Sequence, residues 1–256
     1  PRQVGKTTLI KTLMGSDEYL LLNGDDSAVA RQLSEADTFK VKQIIVNHSK
    51  VFVDEAKKIN NIGNTLKIIF DQMPHVELFI SGSSTLEMNQ ATQEPLTGRK
   101  FEFELFPISW KEFENHIGYL NAENQLEHRL VYGMYPDVLN DPTIETKTLK
   151  NLTQSYLYQD ILALAGIRKP DILDRLLTAL ALQIGSEVSY NELSQLLQID
   201  KGTVIKYIDL LEQSFIIFTL PSFSRNLRNE IKNNRKIYFY DNGIRNAIIK
   251  IGRAHV

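Results

Sequence analysis

Pro1-Arg2-Gln3-Val4-Gly5-Lys6-Thr7-Thr8 opens the chain, and its reading decides the fold. Gly5-Lys6-Thr7 matches the end of the pattern Gly, four residues, Gly-Lys-Ser/Thr. The pattern's first glycine would stand one place before Pro1. In such a loop successive backbone N–H groups curl around phosphates, and the helix that follows points its positive end at them. The loop residues Arg2, Gln3, Val4, Gly5, Lys6, Thr7 and Thr8 are therefore candidate contacts to a nucleoside triphosphate. Lys6 would reach the β- and γ-phosphates, and Thr7 would place its hydroxyl on Mg²⁺. Thr8 to Met14 then reads as a helix with Leu9, Ile10 and Leu13 on its inner face and Gly15 as its stop. Alone, Gly-Lys-Thr reads equally well as a chance helix start. The pattern expects a strand ahead of it, so the domain is expected to begin upstream of Pro1.

A second stretch, Val51-Phe52-Val53-Asp54-Glu55, raises the weight of the first. An apolar strand ending in two acids fixes both carboxylates at the carboxyl edge of a sheet. Asp54 is the candidate Mg²⁺ holder, and Glu55 the candidate base for an attacking water. A strand end serving only as a helix cap is the plainer reading, and pairing with Gly5-Lys6-Thr7 argues against it. Val76 to Ile80 is another strand, ending at Ser81-Gly82-Ser83-Ser84. Ser83 is the candidate sensor of the γ-phosphate, while Ser83 or Ser84 also reads as a helix cap. Arg99, after Thr97-Gly98, is a candidate arginine finger; a surface arginine is the alternative.

Strands are expected at Tyr19–Asn23, Lys50–Val53, Val76–Ile80 and Lys100–Leu105. Helices fall between them, near Ala28–Leu33, Lys40–Val46 and Ile62–Phe70. Alternation of this kind predicts an α/β fold, a P-loop sheet of parallel strands with helices on both faces and its first strand missing. From Ser109 to about Ile184 the pattern is helical, broken near Gly118, Tyr135-Pro136, Asp141-Pro142 and Lys169-Pro170. Tyr190–Leu197, a turn at Ile199-Asp200, Gly202–Gln213 and the strand Phe215–Leu220 then have the layout of a winged helix-turn-helix. Its recognition helix would offer Lys201, Thr203, Lys206 and Tyr207. Arg225, Arg228, Lys232, Arg235 and Lys236 stand against Glu230 alone, a cluster suited to a phosphate backbone or to a solvated loop.

Composition sets outer bounds. The chain has 256 residues, 43% hydrophobic and 23% charged, with a net charge of −2. Bulk charge therefore does not draw it to nucleic acid, and any such binding needs a local patch. It has no cysteine, hence neither disulfides nor thiolate metal sites, and its five histidines lack ligand spacing. No apolar run approaches membrane-spanning length. A cytoplasmic protein is expected, without a membrane partner.

With these residues in view the chain resembles the bacterial and archaeal AAA-type ATPases that carry a carboxy-terminal domain of unknown function. The resemblance rests on residues 1–8, Val51–Ala56, Ile80–Ser84, Leu96–Arg99, Phe101–Ser109, Gly133-Met134-Tyr135-Pro136, Ile184–Leu193, Phe223–Leu227 and Lys236–Asp241. It implies ATP and Mg²⁺ at Lys6, Thr7, Asp54 and Glu55, a sensor in the Ser81–Ser84 turn, a finger role for Arg99, and a helical lid before the winged helix. The implied division is a core over 1–108, a lid over 109–184, a winged helix over 185–234 and the start of a nuclease-like domain over 235–250. Residues 251–256 match what a common sequencing adapter encodes in one frame and are expected to be a non-native tail. The leading functional expectation is an ATPase that drives domain movement, associated with DNA or a protein partner. An ATP-gated DNA- or protein-binding switch with little turnover is the alternative. A finger acting between copies would require a homo-oligomer.

Overall fold

The computed structural model describes residues 1–82, 96, 98–155, 170–221 and 235–252. The chain divides into two compact units, one holding Arg2 and Val4–Leu105, the other Pro1, Gln3 and Phe106–Val256.

In the first unit, helix α1 (Lys6–Met14) leads to strand β1 (Leu20–Asn23), helices α2 (Ser27–Ser34) and α3 (Thr38–Ile45), strand β2 (Lys50–Asp54), a 3-10 turn (Ala56–Lys58), helix α4 (Ile62–Gln72) and strand β3 (Glu77–Ile80). The three strands are parallel in the order β1-β2-β3, with Asn23 opposite Asp54 and Val53 opposite Ile80. Val51, Phe52 and Val53 have no exposed surface, as expected for the middle strand of a parallel sheet covered on both faces. Val51 and Val53 join Leu22 and the inner residues of α2, α3 and α4, among them Leu33, Ile45 and Leu66, in one apolar core. Asp26 caps α2 and Asp37 caps α3, each carboxylate accepting from backbone N–H groups of the first turn.

Two expectations fail here. Leu9 is 44% and Leu13 69% exposed, while Met14 is buried; the inward side of α1 lies one residue further round than its leucines suggest. Residues 100–105 form no strand. Their alternation left Phe101 and Phe103 more than nine-tenths exposed. A strand needs a neighbour to receive its backbone groups, and among the described residues the first sheet ends at β3.

The second unit runs through helices α5 (Trp110–Ile117), α6 (Tyr119–Tyr132), α7 (Pro136–Asn140), α8 (Glu145–Ser155) and α9 (Pro170–Leu182), strand β4 (Glu187–Val188), helices α10 (Tyr190–Leu197) and α11 (Lys201–Gln213), strands β5 (Ile217–Leu220) and β6 (Arg235–Phe239), and helix α12 (Asn242–Ile248). The breaks fall where Gly118 and Pro136 dictate. Ser109 and Glu112 form a reciprocal capping box at the start of α5. The second sheet is antiparallel in the order β4-β6-β5. Residues 235–250, expected to open a further domain, instead supply this sheet's central strand and the helix packed on α6, α8 and α9.

A buried polar knot ties α12 to α6. Asp241 caps α12 through the Ile244 N–H at 3.0 Å and also accepts the Met134 N–H at 2.7 Å. Asn246 donates to the carbonyls of Leu130 at 3.1 Å and Val131 at 2.8 Å, groups that the end of α6 leaves unsatisfied. Beside it, the buried Glu145 receives Arg129 and, at 2.7 Å, His128.

Candidate nucleotide site

The loop takes a left-handed backbone at Gln3 (φ 55°) and Gly5 (φ 89°) and passes straight into α1 with Gly5 as its cap. Left-handed residues interleaved this way curl the chain into a concave nest for an anion. Val4 is buried beneath it. Lys6 is the first residue of the helix. Burial lowers its pKa below the ordinary lysine value; Glu55 and Asp54 oppose this, while Lys57 and Arg2 reinforce it. Lys6 thus lies within electrostatic reach of two carboxylates at the head of α1.

Asp54 ends β2 and is 9% exposed. The Thr7 hydroxyl donates to its two oxygens at 2.9 and 3.1 Å, and the Ser81 hydroxyl donates to Oδ1 as well. One carboxylate thus joins the phosphate loop to the ends of two strands. The Ser81 Oγ also accepts the Glu55 N–H at 3.2 Å, and the Ser81 carbonyl accepts the Ala56 N–H at 3.1 Å. Glu55 itself sits in the left-handed region (φ 47°, ψ 45°) at the head of the 3-10 turn.

Sequence expectation and structure agree on which residues meet: Lys6, Thr7, Asp54 and Glu55 share one end of the sheet. Among the described residues Ser81 is the serine that touches the acidic pair; Ser83 lies outside the described residues, as do Thr97, Arg225, Arg228 and Lys232. Ser81 was legible from register, since Val53 opposite Ile80 makes Asp54 and Ser81 neighbours. Arg99 is not at this end of its own unit. It pairs with Asp71 at 2.6 Å and lies over the Phe70 ring at 5.5 Å. Both belong to the last turn of α4, which runs from the phosphate-loop edge of the sheet back to the opposite edge. Tyr207 is buried in α11 and is a core residue, not a surface one; Lys201 and Lys206 are exposed.

Among the described residues no three His, Asp or Glu side chains gather tightly enough to hold a metal alone. Thr7 and Asp54 offer hard oxygen donors less than 3.2 Å apart. That set suits Mg²⁺, which keeps most of its ligands from phosphate and water. No helix among the described residues is long and apolar enough to cross a membrane.

Residues 123–255 match a family described as a domain of unknown function, DUF8612. The chain belongs to that family. Residues 1–114 match the AAA domain family, so the first unit is similar to nucleotide-binding domains of that kind. An uncharacterized protein of Haemophilus influenzae is 27% identical over 199 residues, covering 73% of this chain and 48% of the relative. Two uncharacterized proteins of Methanocaldococcus jannaschii are 23% identical over 248 residues and 21% identical over 293. They are covered to 55% and 60% of their length, against 87% and 96% of this chain. The chain thus spans about half the length of the curated relatives it matches.

Proposed function

We propose that this protein binds ATP with Mg²⁺ at the loop Arg2–Thr8 and hydrolyses it, using the energy to move its parts against a partner. The observation that carries this is the Asp54 carboxylate held by Thr7 on one side and Ser81 on the other, with Glu55 next in the chain. In this reading Lys6 meets the β- and γ-phosphates, and Thr7 and Asp54 hold the Mg²⁺, which neutralises phosphate charge when bound. Glu55 takes the proton of the attacking water. Ser81 keeps both acids aligned. The test is a pair of variants. Lys6→Ala is expected to lose ATP binding, and Glu55→Gln to keep binding while hydrolysis falls about 100-fold or more. ATP binding unchanged in Lys6→Ala would show the site to be misplaced.

A second reading is an ATP-gated switch that binds DNA or a protein and turns over slowly alone. It is favoured by the succession α9, β4, α10, α11, β5, β6, which has the order of a winged helix-turn-helix, and by exposed Lys201, Lys206, Arg235 and Lys236 on that unit. Duplex DNA that stimulates hydrolysis, with affinity falling steeply as salt rises, would support it. Stimulation by DNA that survives Lys201→Ala with Lys206→Ala would exclude α11 as the contact. A finger role for Arg99, which pairs with Asp71 in its own unit, would have to be toward a neighbouring copy and would require a homo-oligomer.

A further inference from the structure

Glu55 carries its own signature of constraint. A left-handed backbone at a residue with a side chain costs free energy and persists only where its surroundings impose it. Three groups impose it here. On the β3 side, the Ser81 hydroxyl accepts the Glu55 N–H at 3.2 Å and the Ser81 carbonyl accepts the next N–H at 3.1 Å. On the β1 side stands Gly24. Its N–H donates to the Asp54 carbonyl at 2.8 Å, and a Cβ there would lie 2.4 Å from the Glu55 carbonyl oxygen and 3.2 Å from that of Asp54. Gly24 needs no left-handed backbone; it is absent from the positive-φ positions. What it supplies is space.

The turn that holds Gly24 has little room to retreat. The Asn23 side chain accepts the Asp25 N–H at 2.9 Å, Asp26 donates its N–H to the Asn23 carbonyl at 3.1 Å, and Asp26 then caps α2. Asp25 also pairs with Lys58 at 2.5 Å, tying the turn to the 3-10 segment that follows Glu55.

Building on the hydrolytic role proposed for Glu55, we infer that Gly24 and Ser81 form a two-sided clamp on the Glu55 peptide, and that Gly24 is a positioning residue for catalysis. A side chain at position 24 displaces the peptide and with it the carboxylate that activates water. The atoms it would meet first belong to Glu55 and Asp54. The clamp therefore acts on turnover and leaves nucleotide capture alone. A misplacement of about 1 Å costs on the order of 100-fold in rate.

The experiment compares Gly24→Ala, Ser81→Ala and Glu55→Gln. ATP affinity is read without Mg²⁺ from a fluorescent ATP analogue, and kcat is read with Mg²⁺. Gly24→Ala is expected to keep affinity within about threefold and to lose roughly 10- to 100-fold in kcat. If Gly24→Ala fails to fold, Ser81→Ala, which only removes atoms, is read in its place and is expected to show the same split. Wild-type kcat in a folded Gly24→Ala, or equal losses in affinity and kcat, overturns the clamp. Hydrolysis that survives Glu55→Gln overturns the assignment of the base, and is distinguishable because Gly24 is intact there.

Discussion

Lys6 is a cation that its surroundings make reluctant. Burial disfavours its charged form, and Glu55 and Asp54 restore part of what burial removes. In the proposed ATP site, phosphates at the loop would add negative charge and draw the proton back on. In the free protein the lowered pKa means that Lys6 gives up its proton at a lower pH than an ordinary lysine. Below that pKa, ATP affinity is expected to be flat. Above it, binding must also restore the proton, and affinity falls about tenfold per pH unit. A titration of affinity against pH checks this, with Lys6→Arg as the control, because arginine stays charged throughout. A parallel decline in wild type and Lys6→Arg would assign the pH dependence to another group. At this scale the sequence was informative where chemistry is local: Gly5-Lys6-Thr7 and Asp54-Glu55 announce themselves by type and spacing. It was silent on Gly24, whose importance lies in a contact between strand ends far apart in the chain.

Among the elements, the junction of α6 with α12 is the most sharply determined. Gly133 has φ 75°, and a Cβ on it would fall 2.2 Å from Asp241 Oδ1. Burial raises the pKa of that carboxylate; the N–H groups of Met134, Ile244 and Gly243, and the charge of Arg129, hold it down. Gly133→Ala is expected to destabilise the second unit by roughly 2–4 kcal/mol, through overpacking and a disfavoured backbone together, with thermal unfolding as the measurement. The sign for pH follows from the raised pKa. In the window between the ordinary aspartate value and the folded one, the native state holds more protons than the unfolded chain. This group's contribution to stability therefore declines as pH rises through that window. Asp241→Asn is expected to remove that slope; it also puts an amide N–H against a backbone N–H, so its stability should be lower at neutral pH. The helices and the three parallel strands were legible because apolar runs and caps mark them. Residues 100–105 misled because alternation records a preference that only a neighbouring strand can fulfil. For Tyr207 the corrective signal was present: Val204, Tyr207, Ile208 and Leu211 recur at helical spacing, and all are buried.

At the scale of the whole molecule, two units with separate cores predict separable unfolding. ATP with Mg²⁺ is expected to raise the transition of the first unit by about 2.7 kcal/mol at 100 times Kd, while Gly133→Ala lowers only the transition of the second. Differential scanning calorimetry of both, with and without nucleotide, checks the assignment. A single transition that both perturbations move would show that the units unfold as one.

The second sheet carries a consequence for how the protein is made. β6 is its middle strand yet the last of the three in the chain, after β4 and β5. During synthesis β4 and β5 leave the ribosome with no shared partner, each presenting a bare edge until Arg235–Phe239 arrives between them. Pairing distant segments is slow, and open edges in the meantime invite foreign strands. A nascent chain halted before Arg235 would thus be the form most in need of a chaperone.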